Sequence, residues 1–202
     1  MVYVGLDPGA EGAIVILRDR CAYAAFWWAK VQRKGRRVIK LQMTDMDGES
    51  QSVIIERYSS IGSIVSEYLA ESGFTDGYIC CEDVYLGRNV RTLIDLARNA
   101  GSVLSPIEEH FGLSSSYVPA NEWRETVLGV KRGTKRDQVK NASMLLIPSR
   151  VDGMRSLISL SGSSTHICDA AGVAEYCRVT TGRNTNGSKR WFRPVIFGAQ
   201  SH

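Results

Sequence analysis

Residues 2–13 read VYVGLDPGAEGA, a short β-prone run, a Pro and Gly turn, and the start of a second apolar run. Weak alternation over residues 2–6 predicts a first strand. Residues 12–17 (GAIVIL) and 22–28 (AYAAFWW) predict two more, with DPGAEG as the hairpin turn between the first two. Asp7 closes a nearly apolar strand beside a tight turn, where a carboxylate without a partner is costly. D-P-G is also a common turn tripeptide, so the motif by itself leaves an ordinary turn aspartate open.

Outward from this hairpin, residues 30–48 are polar and basic with one candidate strand at 37–43, and they predict a projecting hairpin or loop. Apolar positions 54, 61, 64, 65, 68 and 69 have helical spacing, predicting a helix over 51–72 that stops at Gly73. Residues 76–81 (DGYICC) predict a buried strand. A second helix over 89–111 is predicted to kink or end early at Pro106. A short strand at 116–119 follows, then a helix from an Asn121 N-cap to Leu128, and another over 135–147 ahead of Pro148. Residues 149–165 predict a surface loop, and 167–179 a helix whose small residues permit close packing on a sheet. This order predicts an α/β domain over residues 1–181 with a mixed five-stranded sheet flanked by helices. Residues 182–202 (RNTNGSKRWFRP and beyond) predict a basic tail, mobile until it meets a partner.

The 202 residues and 44% hydrophobic content suit one domain with a single core. Twenty-five Lys and Arg against 21 Asp and Glu give a formal charge of +4, but the cations cluster at 30–40, 131–140 and 189–193. Such runs suit a polyanion, although any one of them also fits a solvated face. The five cysteines, at 21, 80, 81, 168 and 177, show no zinc spacing. No secretory signal and no membrane-length apolar stretch is read, so the expectation is a cytoplasmic protein with reduced thiols and no membrane partner.

Glu82 repeats the pattern of Asp7, ending the YICC strand. His166 and Asp169 stand three apart, on one face of a helix. The same pair also suits helix capping, with Thr165 as N-cap and Asp169 in the first turn near the positive helix end. Carboxylates from separate elements with one imidazole form a hard donor set that suits a pair of Mg²⁺ or Mn²⁺ ions, and strand ends can converge on one rim of an α/β sheet. Two such ions can activate a water and stabilise the leaving oxygen of a phosphodiester.

Four motifs in order carry a resemblance: VGLDPG around Asp7, CEDVYLGRN around Glu82, EWRETVLG followed by KRDQV, and HICDAAGVA at His166 and Asp169. Together they resemble the RuvC-type Holliday-junction resolvases of the RNase H-like nuclease superfamily, over roughly residues 1–178. The resemblance implies an RNase H-like fold and a homodimer. It also implies two metal ions per active site and paired nicks in a four-way DNA junction. Asp7, Glu82 and Asp169 take the carboxylate positions, and His166 the fourth ligand position, where members carry Asp or His. Tyr85 falls where the family places an aromatic near the junction centre, with Arg88 in the same motif. Arg124, Lys131 and either Lys135 or Arg136 fall at or near basic positions facing DNA, Arg124 standing where Lys is usual. The longer 30–40 region and the loop at 149–164 depart from the family pattern.

Rival readings remain at this level. A nuclease preferring forks, flaps or RNA–DNA hybrids has the same motifs, and a non-catalytic branched-DNA-binding protein would use the same basic patches. An actin-like ATPase or sugar kinase shares the opening hairpin, but no second glycine-rich phosphate loop and no adenosine-binding segment is read, so no nucleotide cofactor is expected.

Overall fold

The computed structural model describes residues 1–84, 90–161 and 164–184. Five strands form an antiparallel meander: β1 (Val2–Asp7), β2 (Gly12–Arg18), β3 (Cys21–Arg33), β4 (Arg36–Asp45) and β5 (Ser50–Ile55). Helix α1 (Ser59–Glu71) returns the chain to β6 (Gly77–Glu82), which lies parallel to β1. Helix α2 (Val90–Phe111) leads to β7 (Ser116–Val118), parallel to β6. A short helix α3 (Ala120–Trp123) passes into a π-helical turn over Arg124–Leu128, followed by α4 (Arg136–Arg150), α5 (Met154–Ser161) and α6 (Ser164–Asn184).

The sheet order is β5-β4-β3-β2-β1-β6-β7. Because side chains alternate across a strand, each central strand feeds two cores. Val2, Val4 and Leu6 of β1, with Ile14 and Ile16 of β2 and Phe26 and Trp28 of β3, pack under α1 and α2. Ala13, Val15 and Leu17 of β2 and Cys80 of β6 pack on the other face, under the π-helical turn and α4 to α6. Burial on both faces explains why β2 reads as a continuous apolar run.

The fold class is the expected one, with corrections to its parts. Among the described residues, seven strands, not five, make the sheet. The segment 30–48 is the hairpin of the two expected alternatives, longer than the one candidate strand at 37–43 suggested, and β5 adds a further strand over residues that the 51–72 helix was expected to include. The expected helix starts only at Ser59, because the β-branched run Val53-Ile54-Ile55 pairs with β4 at the sheet edge. Helix α2 continues past Pro106 to Phe111, and α4 continues through Pro148 to Arg150. Asn121 lies inside α3, whose N-cap is Pro119. The expected loop at 149–165 contains α5, which buries Met154 and Leu157. Helix α6 starts at Ser164, so Thr165 is not its N-cap and Asp169 lies beyond its first turn.

Candidate active site

Strands β1 and β6 are parallel neighbours in register from Val2 with Gly77 to Leu6 with Cys81. The next residues along are Asp7 and Glu82, so two carboxylates leave the sheet side by side, about 4.8 Å apart in strand spacing. Leu6 and Cys81 face the α1–α2 core, which turns Asp7 and Glu82 to the opposite face, where α6 lies. Close approach of α6 depends on Gly5: a Cβ there would meet Ala170 O at 2.2 Å and Ala174 N at 2.3 Å. Gly172 likewise leaves room for the Trp123 ring, which a Cβ would meet at 2.4 Å. With α6 seated this closely, His166 and Asp169 reach the rim that carries Asp7 and Glu82.

Each acid is held by a specific partner. His166 Nδ1 and Asp7 Oδ2 share a hydrogen bond of 2.7 Å, and Glu11 Oε2 stands 3.9 Å from His166 Nε2. Trp123 Nε1 donates to Glu82 Oε2 at 2.7 Å, and Arg124 reaches Glu82 Oε1 at 3.5 Å. The Ser143 hydroxyl donates to Asp169 Oδ1 at 2.8 Å. Arg124 opens the π-helical turn, which Gly129 closes in the left-handed region (φ 70°). Such irregular turns recur where a side chain must be aimed.

The electrostatics are those of an acidic cluster in which burial and mutual repulsion outweigh the nearby cations. Burial first, then repulsion by Asp7, pushes the Glu82 carboxyl up to about 7, against the pull of Arg124 and Trp123. Burial and then Asp7 push Asp169 up to about 6, against the Ser143 hydrogen bond. The hydrogen bond with Asp7 raises His166 above the usual imidazole range, outweighing the opposing effect of burial. A cation placed among these groups would relieve both the desolvation and the mutual repulsion.

Asp7, Glu82, His166 and Asp169 line one cavity of ≈ 420 Å³ together with Arg124, Arg136 and Lys140. A neighbouring hollow of ≈ 440 Å³ shares Glu82 and Arg124 and is lined by Lys131 and Arg132. Four expected ligands and two expected basic residues, Arg124 and Arg136, are thus brought together. Lys131 lies in the neighbouring hollow, and Lys135 is exposed at the start of α4, outside the lining of both. Tyr85 and Arg88 lie outside the described residues. Sequence reasoning missed Trp123, Ser143, Glu11 and Lys140. Trp123 was visible beside Arg124 in the EWR motif, whereas nothing in the sequence near Ser143 signals a bond to Asp169.

Among the described residues, no three His, Cys, Asp or Glu side chains already stand in a spacing that would enclose one ion. The donor set nevertheless fits a divalent cation chemically: three carboxylates and an imidazole in one cavity, two of the acids buried at a cost that positive charge would offset. No helix among the described residues is long and apolar enough to cross a membrane.

No family model and no curated protein matches the chain. Among solved structures, the chain is similar to RuvC from Thermus thermophilus, with a TM-score of 0.52 and 16% identity over 92% of this chain and 98% of that one. It is also similar to the T. thermophilus RuvC solved in complex with Holliday junction substrate, with a TM-score of 0.49 and 16% identity over 90% and 97%. The first of these likenesses shows a RuvC-like, RNase H-like fold.

Proposed function

We propose that the chain is a metal-dependent DNA endonuclease that resolves four-way junctions, working as a homodimer with two active sites. The observation that carries this is the convergence of Asp7, Glu82, His166 and Asp169 in one cavity that Arg124, Arg136 and Lys140 also line. Negative charge aimed into a cavity with a basic wall is of no use to a protein that only grips phosphate, but it suits one that hydrolyses it.

Asp7, Glu82, Asp169 and His166 would hold a pair of Mg²⁺ or Mn²⁺ ions. When bound, such ions supply a nucleophilic water at neutral pH and charge for the leaving oxygen. In the reaction the water oxygen joins phosphorus, one bridging oxygen leaves as a hydroxyl, and the strand is nicked. The chain itself orients the reacting centre. Trp123 and Ser143 each occupy one carboxylate oxygen, fixing the rotamers of Glu82 and Asp169. Arg124, Arg136 and Lys140 offer cations to the phosphates entering the cavity. Lys131 and Lys135, with Tyr85 and Arg88, complete the proposed DNA-facing set.

Dimerisation is proposed through α2. Val90 and Ile94 are exposed large apolar residues, and with exposed Ala97 and Gly101 they fall at helical spacing along one stripe. Ala100, by contrast, packs into the chain's own core. An isologous pair would match the two-fold symmetry of a four-way junction.

The test is incubation of the protein with labelled four-way junction, fork, flap and RNA–DNA hybrid in Mg²⁺, with products mapped at nucleotide resolution. Paired, symmetric nicks in the junction are expected, lost in D7N, E82Q and D169N while binding is kept. Equal cutting of all substrates, or cutting by D7N, would overturn the assignment.

A further inference from the structure

The register of the sheet places a basic finger beyond the rim of the candidate site. Asp7 pairs with Ala13, Ala13 with Trp27, and Trp27 with Gln42, which forms one row across four strands. Strand β3 continues past that row for six residues to Arg33, so the hairpin tip stands about 20 Å beyond it. The row marks the same edge of the sheet from which the carboxylates leave.

Side-chain alternation then fixes which face the cations share. Ala25 of β3 packs with the core under α6, and its cross-strand partner is Thr44. Two-residue steps from that pair lead through Ala29 opposite Lys40 and Val31 opposite Val38 to Arg33 opposite Arg36. Lys40, Arg33 and Arg36 therefore lie on the face of the sheet that carries Asp7 and Glu82. Lys30, on the other face, stands over the Tyr58 ring.

Two features show a tip built for charge rather than for hairpin stability. Arg33 and Arg36 are directly opposed, an arrangement that is destabilising for like charges. Among the described residues, none of Arg33, Lys34, Arg36 or Arg37 is in an ion pair, and all four are exposed. The turn itself is the two-residue Lys34-Gly35, with φ of 49° and 78°. Its first position favours Asn, Asp or Gly, and here it carries a lysine.

We propose that the β3–β4 hairpin grips the phosphate backbone of a duplex arm on the catalytic side of the protein, through Arg33, Arg36 and Lys40. The inference rests on the DNA-endonuclease reading and adds to it a second contact, about six base pairs from the scissile phosphate by the reach of the hairpin. The partner is duplex backbone rather than base sequence, because exposed cations on a projecting hairpin recognise charge and spacing.

The experiment compares wild type with R33Q/R36Q and with R33E on a four-way junction with long arms. Affinity is measured against salt concentration, and hydroxyl-radical footprints are taken on each arm. The double variant is expected to lose about two units of salt slope and on the order of tenfold in affinity at low salt. It should also lose protection on an arm about six base pairs from the nick, while single-turnover cutting at saturating protein is kept. Both variants should melt at or above wild type, since each removes the Arg33–Arg36 repulsion. An unchanged slope and footprint in the variants, with wild type bound, overturns the hairpin inference alone. So does weaker binding accompanied by a fall in melting temperature in both variants. A wild type that binds with a hairpin-dependent slope but does not cut overturns the endonuclease reading and leaves the hairpin contact standing. A wild type that binds no branched DNA overturns both.

Discussion

The two faces of the sheet solve opposite problems. The face under α1 and α2 is apolar throughout its core, from Val2 and Leu6 through Phe26 and Trp28 to Leu104 and Ile107. The face under α3 to α6 is equally apolar away from the rim, where Val15, Leu17 and Ile167 pack. At the rim it gives way to Asp7, Glu82 and Asp169, with Ser143, one of few buried polar residues, beneath them. None of the first face's core residues lines the cavity, so that core contributes to stability rather than to the site. The second gives up burial free energy at one end to hold charges in a cavity, so damage to the two faces should have opposite signatures.

The largest expected contrast comes from Asp7. In D7N, cleavage should fall by at least about 10³-fold in single-turnover assays, while the melting temperature holds or rises because a source of repulsion on Glu82 and Asp169 is gone. A large drop in melting temperature would place Asp7 with the core instead. The mirror variant is L104A on the other face. Leu104 is fully buried, and truncation there should cost about 2–5 kcal/mol in denaturant unfolding, with cleavage per folded molecule unchanged well below the melting point. Loss of specific activity in the folded fraction would erase the contrast between the faces.

Titration separates the faces next. Glu82 and Asp169 are raised in the folded protein, so folding favours their protonated forms. Metal-free stability should fall as pH rises from about 4 through 6 and 7. His166 is also raised, and its contribution is present below its unfolded value and lost as pH climbs through the folded one, which is the same direction. Added Mg²⁺ should restore melting temperature more at pH 8 than at pH 5. A flat metal-free profile, or equal stabilisation at both pH values, would remove the ion from this rim.

Smaller effects should sharpen the boundary of the site. W123F keeps an aromatic ring, though a smaller one, and removes the donor to Glu82, and S143A removes the donor to Asp169. Each should slow cutting by about tenfold to a hundredfold, the range for groups that orient ligands, with DNA affinity unchanged. Weakened affinity with a normal cutting rate would make them structural supports of the DNA wall. Smallest of all, K140A should lower the salt slope of binding by about one unit, and K135A by less, since only Lys140 lines the cavity.

Much of the fold was legible because local periodicity and turn chemistry agree with the tertiary arrangement. The opening hairpin, the YICC strand and the α2 pattern are such cases. Legibility failed where local signals overlapped. Ile54 stands seven residues before Ile61 and extends the helical spacing by coincidence, while the β-branched Val53-Ile54-Ile55 was pairing with an edge strand. In α5, the Ser and Gly content around it masked the i, i+3, i+4 pattern of Met154, Leu157 and Ile158. The prolines at 106 and 148 did not end their helices.

What the sequence by itself determined is where the acids stand locally: Asp7 at the end of an apolar strand, Glu82 at the end of another, and Asp169 three residues from His166 on a small-residue helix. Those are local facts, written in runs of a few residues. Only the tertiary structure decided that the four share one cavity, and which neutral groups hold them. Asp7 and His166 are 159 residues apart in the chain, Glu82 and Trp123 are 41 apart, and Ser143 and Asp169 are 26 apart. No periodicity spans such distances. The pairings follow from the parallel register of β1 with β6, and from the missing Cβ of Gly5 that lets α6 settle on the sheet.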